Sequence, residues 1–93
     1  MDANASKHMR QAITNTRNII AELDLSDCDV ADLLALMERI ELELDAHRPN
    51  ARTLTICLNS LARSLRTEPR ARGVCLELDA VMREAGIPAS WVH

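Results

Sequence analysis

The chain reads as an all-α protein, a compact bundle of three to four helices, and three features of the sequence lead there. Apolar residues make up 47% of it, yet Trp91 is the single aromatic and there is no Phe or Tyr. A core filled by Leu, Ile, Val, Met, Ala and Cys suits packed helices, whereas small sheet domains lean on aromatic and β-branched side chains. The apolar residues also recur at steps of three and four, the helical period, and not at steps of two. The strong breakers, Pro49, Pro69 and the pair Gly86 and Pro88, stand between the periodic stretches. A length of 93 residues supports one such core and not two, so residues 1–93 are read as a single helical domain.

Each element follows from period and punctuation. A first helix is expected over about 6–23, with Met9, Ala12, Ile13, Thr16, Ile20 and Leu23 on one side. The second, over about 26–47, has the clearest start. Ser26 is a good N-cap, and Asp27 and Asp29 place carboxylates against the free amides and positive dipole of a first turn. Val30, Leu33, Met37, Ile40 and Leu44 then repeat at helical steps, and a second stripe of Ala31, Leu34, Ala35 and Leu42 lies beside the first. A helix apolar on two adjacent sides needs more than one neighbour, which puts it at the bundle centre or in a dimer interface.

Pro49 disfavours helical geometry at Arg48 and can serve as the first residue of a third helix, expected over about 49–67 with Leu54, Cys57, Leu58, Leu61, Ala62 and Leu65 inward. The tight connection predicts an antiparallel pair. After Pro69 a fourth helix is expected over about 72–85, its face built from Val74, Leu78, Val81 and Met82 and its end marked by Gly86. Residues 87–93 form an apolar tail. It is expected to fold back so that Ile87, Trp91 and Val92 cap the bundle; the alternative is that Trp91 anchors a partner, as tryptophan does in binding hot spots.

No apolar run approaches the roughly 20 residues that span a bilayer, and the first residues lack the apolar core of a signal peptide, so a cytoplasmic protein with no membrane partner is expected. Cys28, Cys57 and Cys75 are widely spaced beside apolar neighbours and read as buried, reduced thiols.

Charge is segregated along the chain. From Glu22 to Asp45 there are nine carboxylates against Arg39 alone, a net −8, and from Arg48 to Arg72 six arginines against Glu68, a net +5. On a helix Arg52, Asn59, Arg63, Arg66 and Arg70 fall along one side. One reading pairs the acidic and basic helices as surface ion pairs flanking a shared core, each contributing about 0–1 kcal/mol. The sharper reading is that one charged face meets a protein partner, with the arginine fork gripping carboxylates in pairs. A nucleic-acid-associated regulator using Arg52, Arg63, Arg66 and Arg70 is a further alternative, as is an acidic stretch that mimics nucleic acid. A net charge of −3, a pI near 5.5 and no aromatic residue among the arginines argue against nucleic acid as a partner.

Nothing in the sequence assembles a catalytic site. His8, His47 and His93 are far apart, no Glu-x-x-His or His-Glu-x-x-His spacing occurs, and Gly73 and Gly86 are the only glycines, so no phosphate-cradling loop of the usual kind can form. Glu43 and His47 read as a surface pair at a helix end, and Glu38, Glu41 and Asp45 as an ordinary solvated acidic face. The expectation is a protein that is not an enzyme and carries no metal and no cofactor.

The layout of paired Met- and Leu-rich helices, with Gly86, Ile87 and Pro88 and then Trp91 and Val92 after the last one, resembles that of the small helical antiactivators that silence quorum-sensing transcription factors in proteobacteria. The resemblance implies a bacterial homodimer that sequesters a transcription regulator by occupying a surface the regulator needs. It assigns no role to any one residue. The residues that stand out for a dimer or partner face are Leu34, Met37, Leu42, Arg52, Arg63, Arg66, Trp91 and Val92, and the function expected is regulation by binding and occluding a protein partner.

Overall fold

Asp2 opens the first helix, α1 (Ala3–Ile20), by accepting a hydrogen bond from the Ala5 N–H at 2.7 Å. This cap starts the helix three residues before the expected position, because the periodic apolar residues mark a helix face and not its end. The computed structural model describes residues 2–88 of the chain. Ala5, Met9, Ala12, Ile13, Thr16 and Ile20 are buried on α1, and the hydroxyl of fully buried Thr16 is satisfied by donating to the Ala12 carbonyl at 2.8 Å.

The second helix, α2 (Asp27–Asp45), begins at Ser26, whose hydroxyl accepts from the Asp29 N–H at 3.1 Å. It ends two residues earlier than expected. Ala46 is extended, and the Glu43 carboxylate turns to the Asn50 N–H at 2.9 Å. His47 therefore lies beyond the helix and is no longer one turn from Glu43. The third helix, α3 (Ala51–Leu65), starts after Pro49 and not on it. Asn50 caps it by accepting from the Thr53 N–H at 3.0 Å, so Pro49 stands outside the helix and shapes the approach.

A single 3₁₀ turn, Pro69–Ala71, leads directly into α4 (Arg72–Glu84). The end of α4 depends on Gly86, which has a φ of 73°. In that left-handed conformation the Ile87 N–H reaches the Met82 carbonyl at 2.8 Å and the Gly86 N–H the Arg83 carbonyl at 3.1 Å, closing a Schellman cap.

Among the described residues the chain is all-α, a bundle of four helices. α2 against α3 and α1 against α4 are the two most extensive contacts, and α1–α2 and α3–α4 complete the ring. Side-chain pairs fix the directions. His8 meets Glu84 at 2.7 Å and Asn15 meets Glu77 at 3.0 Å, so α1 and α4 run antiparallel. Arg10 pairs with Asp45 at 2.6 Å and Arg17 with Glu41, which makes α1 and α2 antiparallel as well.

The core holds Met9, Ile13, Met37, Ile40, Leu54, Leu58, Leu61, Leu65, Leu78 and Met82, each under 2% exposed. Among the described residues, methionine and leucine fill the irregular space between four helices without aromatic rings. The radius of gyration is 12.3 Å, close to the roughly 12 Å of a well-packed chain of this length, so one core organises the described chain. No helix among the described residues is long and apolar enough to cross a membrane.

The thiols meet the expectation of burial fully at one position only. Cys57 is buried and Cys75 half-buried, but Cys28 is exposed, because it lies in the first turn of α2 on the side turned from the core. Burial pushes the Cys57 and Cys75 thiols above their ordinary pKa. A thiol reagent at neutral pH is expected to modify Cys28 first and Cys57 last, at a rate limited by opening of the bundle; mass spectrometry of the labelled peptides reads the order. Early labelling of Cys57 would place α3 differently.

Candidate interaction surface

The residues singled out for a partner face separate into five groups once the bundle forms. Met37 is 0% exposed and belongs to the core, so it cannot touch a partner: on α2 it shares the inward side with Leu33 and Ile40. Leu34 is half-buried and packs against the core from the edge of the helix. Leu42 is 63% exposed, and Ala31 and Ala35 are exposed too, so most of the second stripe of α2 faces outward. Arg52, Arg63 and Arg66 are exposed on α3. Trp91 and Val92 lie outside the described residues.

The charge pattern resolves differently from simple pairing of the acidic and basic helices. The carboxylates of α2 turn to α1: Glu41 binds Arg17 and Asp45 binds Arg10, while Glu43 has Arg39 at 3.5 Å within its own helix. The Glu41 hydrogen bond also holds the Arg17 guanidinium above its ordinary pKa. Two members of the acidic trio Glu38, Glu41 and Asp45 are thus already matched by arginine. These pairs are partly exposed and contribute little each, about 0–1 kcal/mol. Among the described residues no ion pair joins α2 to α3, and Arg52, Arg63 and Arg66 make none.

The arginine stripe itself has a different membership. Asn59 is buried, and its side-chain amide donates to the Thr55 carbonyl at 2.7 Å and the Pro88 carbonyl at 3.0 Å. Arg70 sits in the 3₁₀ turn, beyond the end of α3, so it does not continue the stripe. A residue that stripe reasoning left out takes their place: Ile56, 56% exposed, on the outward side of α3. It stands four residues after Arg52 and seven before Arg63, the spacing of one helix face. The signal was legible in that spacing, but a lone isoleucine among core leucines reads as one more core residue.

A groove of about 520 Å³ opens between the C-terminal half of α3, the 3₁₀ turn and α4. Ala62, Pro69, Cys75 and the 64%-exposed Leu76 form its apolar lining, with Arg66, Arg72 and Arg83 at the edges. In its wall Asp79 binds Arg83 through one oxygen at 2.6 Å, and the other, Oδ1, is buried with no hydrogen-bond partner among the described residues. Among the described residues no three His, Cys, Asp or Glu side chains converge as a metal-binding group. What the surface offers is exposed apolar side chains edged by arginine on α3 and α4, and by carboxylates on α2, where Leu42 lies beside Glu38, Glu41 and Asp45. No protein-family model, curated protein or solved structure matches the chain.

Proposed function

We propose that this protein is a small regulatory interaction module that binds a protein partner and occludes it, in the manner of an antiactivator, and that it does so as a homodimer. The observation that carries the reading is the outward side of α3, where Ile56 is 56% exposed between Arg52 and Arg63, neither of which makes an ion pair among the described residues. An exposed aliphatic side chain edged by arginine is the composition of an interface centre and its rim. Guanidinium groups with no ion pair among the described residues supply bidentate donors for carboxylates on the other protein. The outward side of α2, with Leu42, is left for the second copy. Occlusion by these two faces needs no chemistry beyond binding.

The test is a pull-down from native lysate with wild type and with the double variant Arg52→Glu, Arg63→Glu, washed at low and then high salt. Both positions are exposed, so the variant keeps its helical circular dichroism. The expected result is a protein retained by wild type through the low-salt wash and lost by the variant, with affinity falling as salt rises. Equal retention by both proteins would remove α3 as the binding face. Nucleic acid retained by wild type at low salt only would replace the protein partner with the nucleic-acid reading of the same arginines.

A further inference from the structure

We propose that the groove between α3 and α4 is a binding site for a small amphipathic anion, an aliphatic monocarboxylate whose head meets Arg66 and Arg72 and whose chain lies on Leu76. The two ends of the groove differ in charge. At one end α3 stops at Arg66, its C-cap, and α4 starts at Arg72, so two guanidinium groups flank the connecting turn. Both are exposed, and neither makes an ion pair among the described residues. At the other end Arg83 is held by Asp79 at 2.6 Å, so these two charges offset each other. Glu68 is the remaining carboxylate of the lining, and against it Arg66 and Arg72 leave an excess of positive charge. The planar arginine fork binds a carboxylate through two parallel hydrogen bonds.

Between these ends the surface is apolar. Arg72, Leu76, Asp79 and Arg83 follow at steps of four, three and four, so they share one side of α4. Leu76 is 64% exposed, Cys75 beside it is half-buried, and Ala62 contributes from α3. Arg72 and Asp79 are seven residues apart, so the apolar floor runs about 10 Å along the helix axis before it meets the Asp79–Arg83 pair. The volume of about 520 Å³ lies within the roughly 300–1,000 Å³ of small-molecule sites. Other classes of ligand fit less well. A cation would meet the arginines, a neutral hydrocarbon would cover them without pairing, and a small inorganic anion would leave Leu76 in water. Arg52 and Arg63 do not line the groove, so the site goes beyond the partner face on α3 and stands or falls separately from it.

Cys75 lies in the lining, so its labelling reports occupancy of the groove. In the full chain carrying Cys28→Ser, sodium decanoate below its micelle concentration is expected to slow the labelling of Cys75 by N-ethylmaleimide severalfold and saturably, and titration calorimetry to give one decanoate per chain. Acetate, which has the head alone, and decyltrimethylammonium, which has the chain with the opposite charge, are expected to leave the rate unchanged. The double variant Arg66→Glu, Arg72→Glu, at two exposed positions, is expected to keep its helical circular dichroism and to bind decanoate about tenfold more weakly or worse, while Leu42→Glu binds it as wild type does. If the double variant loses helicity, the comparison of the three ligands on the Cys28→Ser chain decides alone. Absence of protection by decanoate overturns the proposal. So does equal protection by decyltrimethylammonium, or decanoate binding that the folded arginine variant leaves unchanged, either of which would make the groove an apolar surface with no selection for an anion.

Discussion

Replacing Met37 with alanine lowers the unfolding free energy by about 2–5 kcal/mol, the range for deleting a large buried side chain. Met37 is 0% exposed in a core that, among the described residues, holds no aromatic side chain to close a gap. Leucine and methionine neighbours on rigid helices collapse only partly into the space, so the loss combines the transfer energy of the missing atoms with a cavity term. Against a total of about 5–15 kcal/mol for a domain, that is a large fraction. Denaturant titration followed by circular dichroism reads it as a lower midpoint at unchanged slope. The matching surface change, Arg52→Ala, should stay within about 0.5 kcal/mol, since it removes an exposed side chain with no ion pair among the described residues. A Met37→Ala loss as small as that would mean that α2 does not turn this side inward.

Leu42→Glu is expected to convert the proposed homodimer into a folded monomer. Leu42 is 63% exposed, so the bundle itself loses little. In a two-fold contact the change occurs in both copies, and losing about 1.5–3 kcal/mol of leucine burial from each weakens association by two orders of magnitude or more. The new carboxylate also stands beside Glu38, Glu41 and Asp45, adding like-charge repulsion where two α2 helices would meet. Leu34 is a poorer probe than the sequence suggests, because it packs partly against the core and its replacement would disturb the bundle. Sedimentation equilibrium over a range of concentrations decides. A wild type that is monomeric throughout ends the homodimer reading, and a Leu42→Glu variant that remains dimeric moves the contact elsewhere, with Ile56 on α3 the next exposed apolar residue to replace.

The sequence by itself determined the fold class, the order of the four helices and most of the core. Those depend on local rules: apolar residues at three- and four-residue steps choose a helix face, Ser26 starts a helix, and Gly86 ends one. Helix boundaries were less legible, since Asp2 and Asn50 cap through side-chain hydrogen bonds to residues three positions on, which periodicity does not register. Only the tertiary structure decided which surface is free. Met37 and Leu42 both lie in apolar stripes of α2, yet one is sealed in the core and the other faces out, because α1 and α3 cover the first stripe and leave most of the second. The same holds for charge: the sequence separates acids from arginines, but it was the placement of α1 beside α2 that gave Glu41 and Asp45 to Arg17 and Arg10 and left Arg52 and Arg63 without an ion pair among the described residues. Composition and spacing act within a helix, whereas pairing between helices is set by which faces the core draws together.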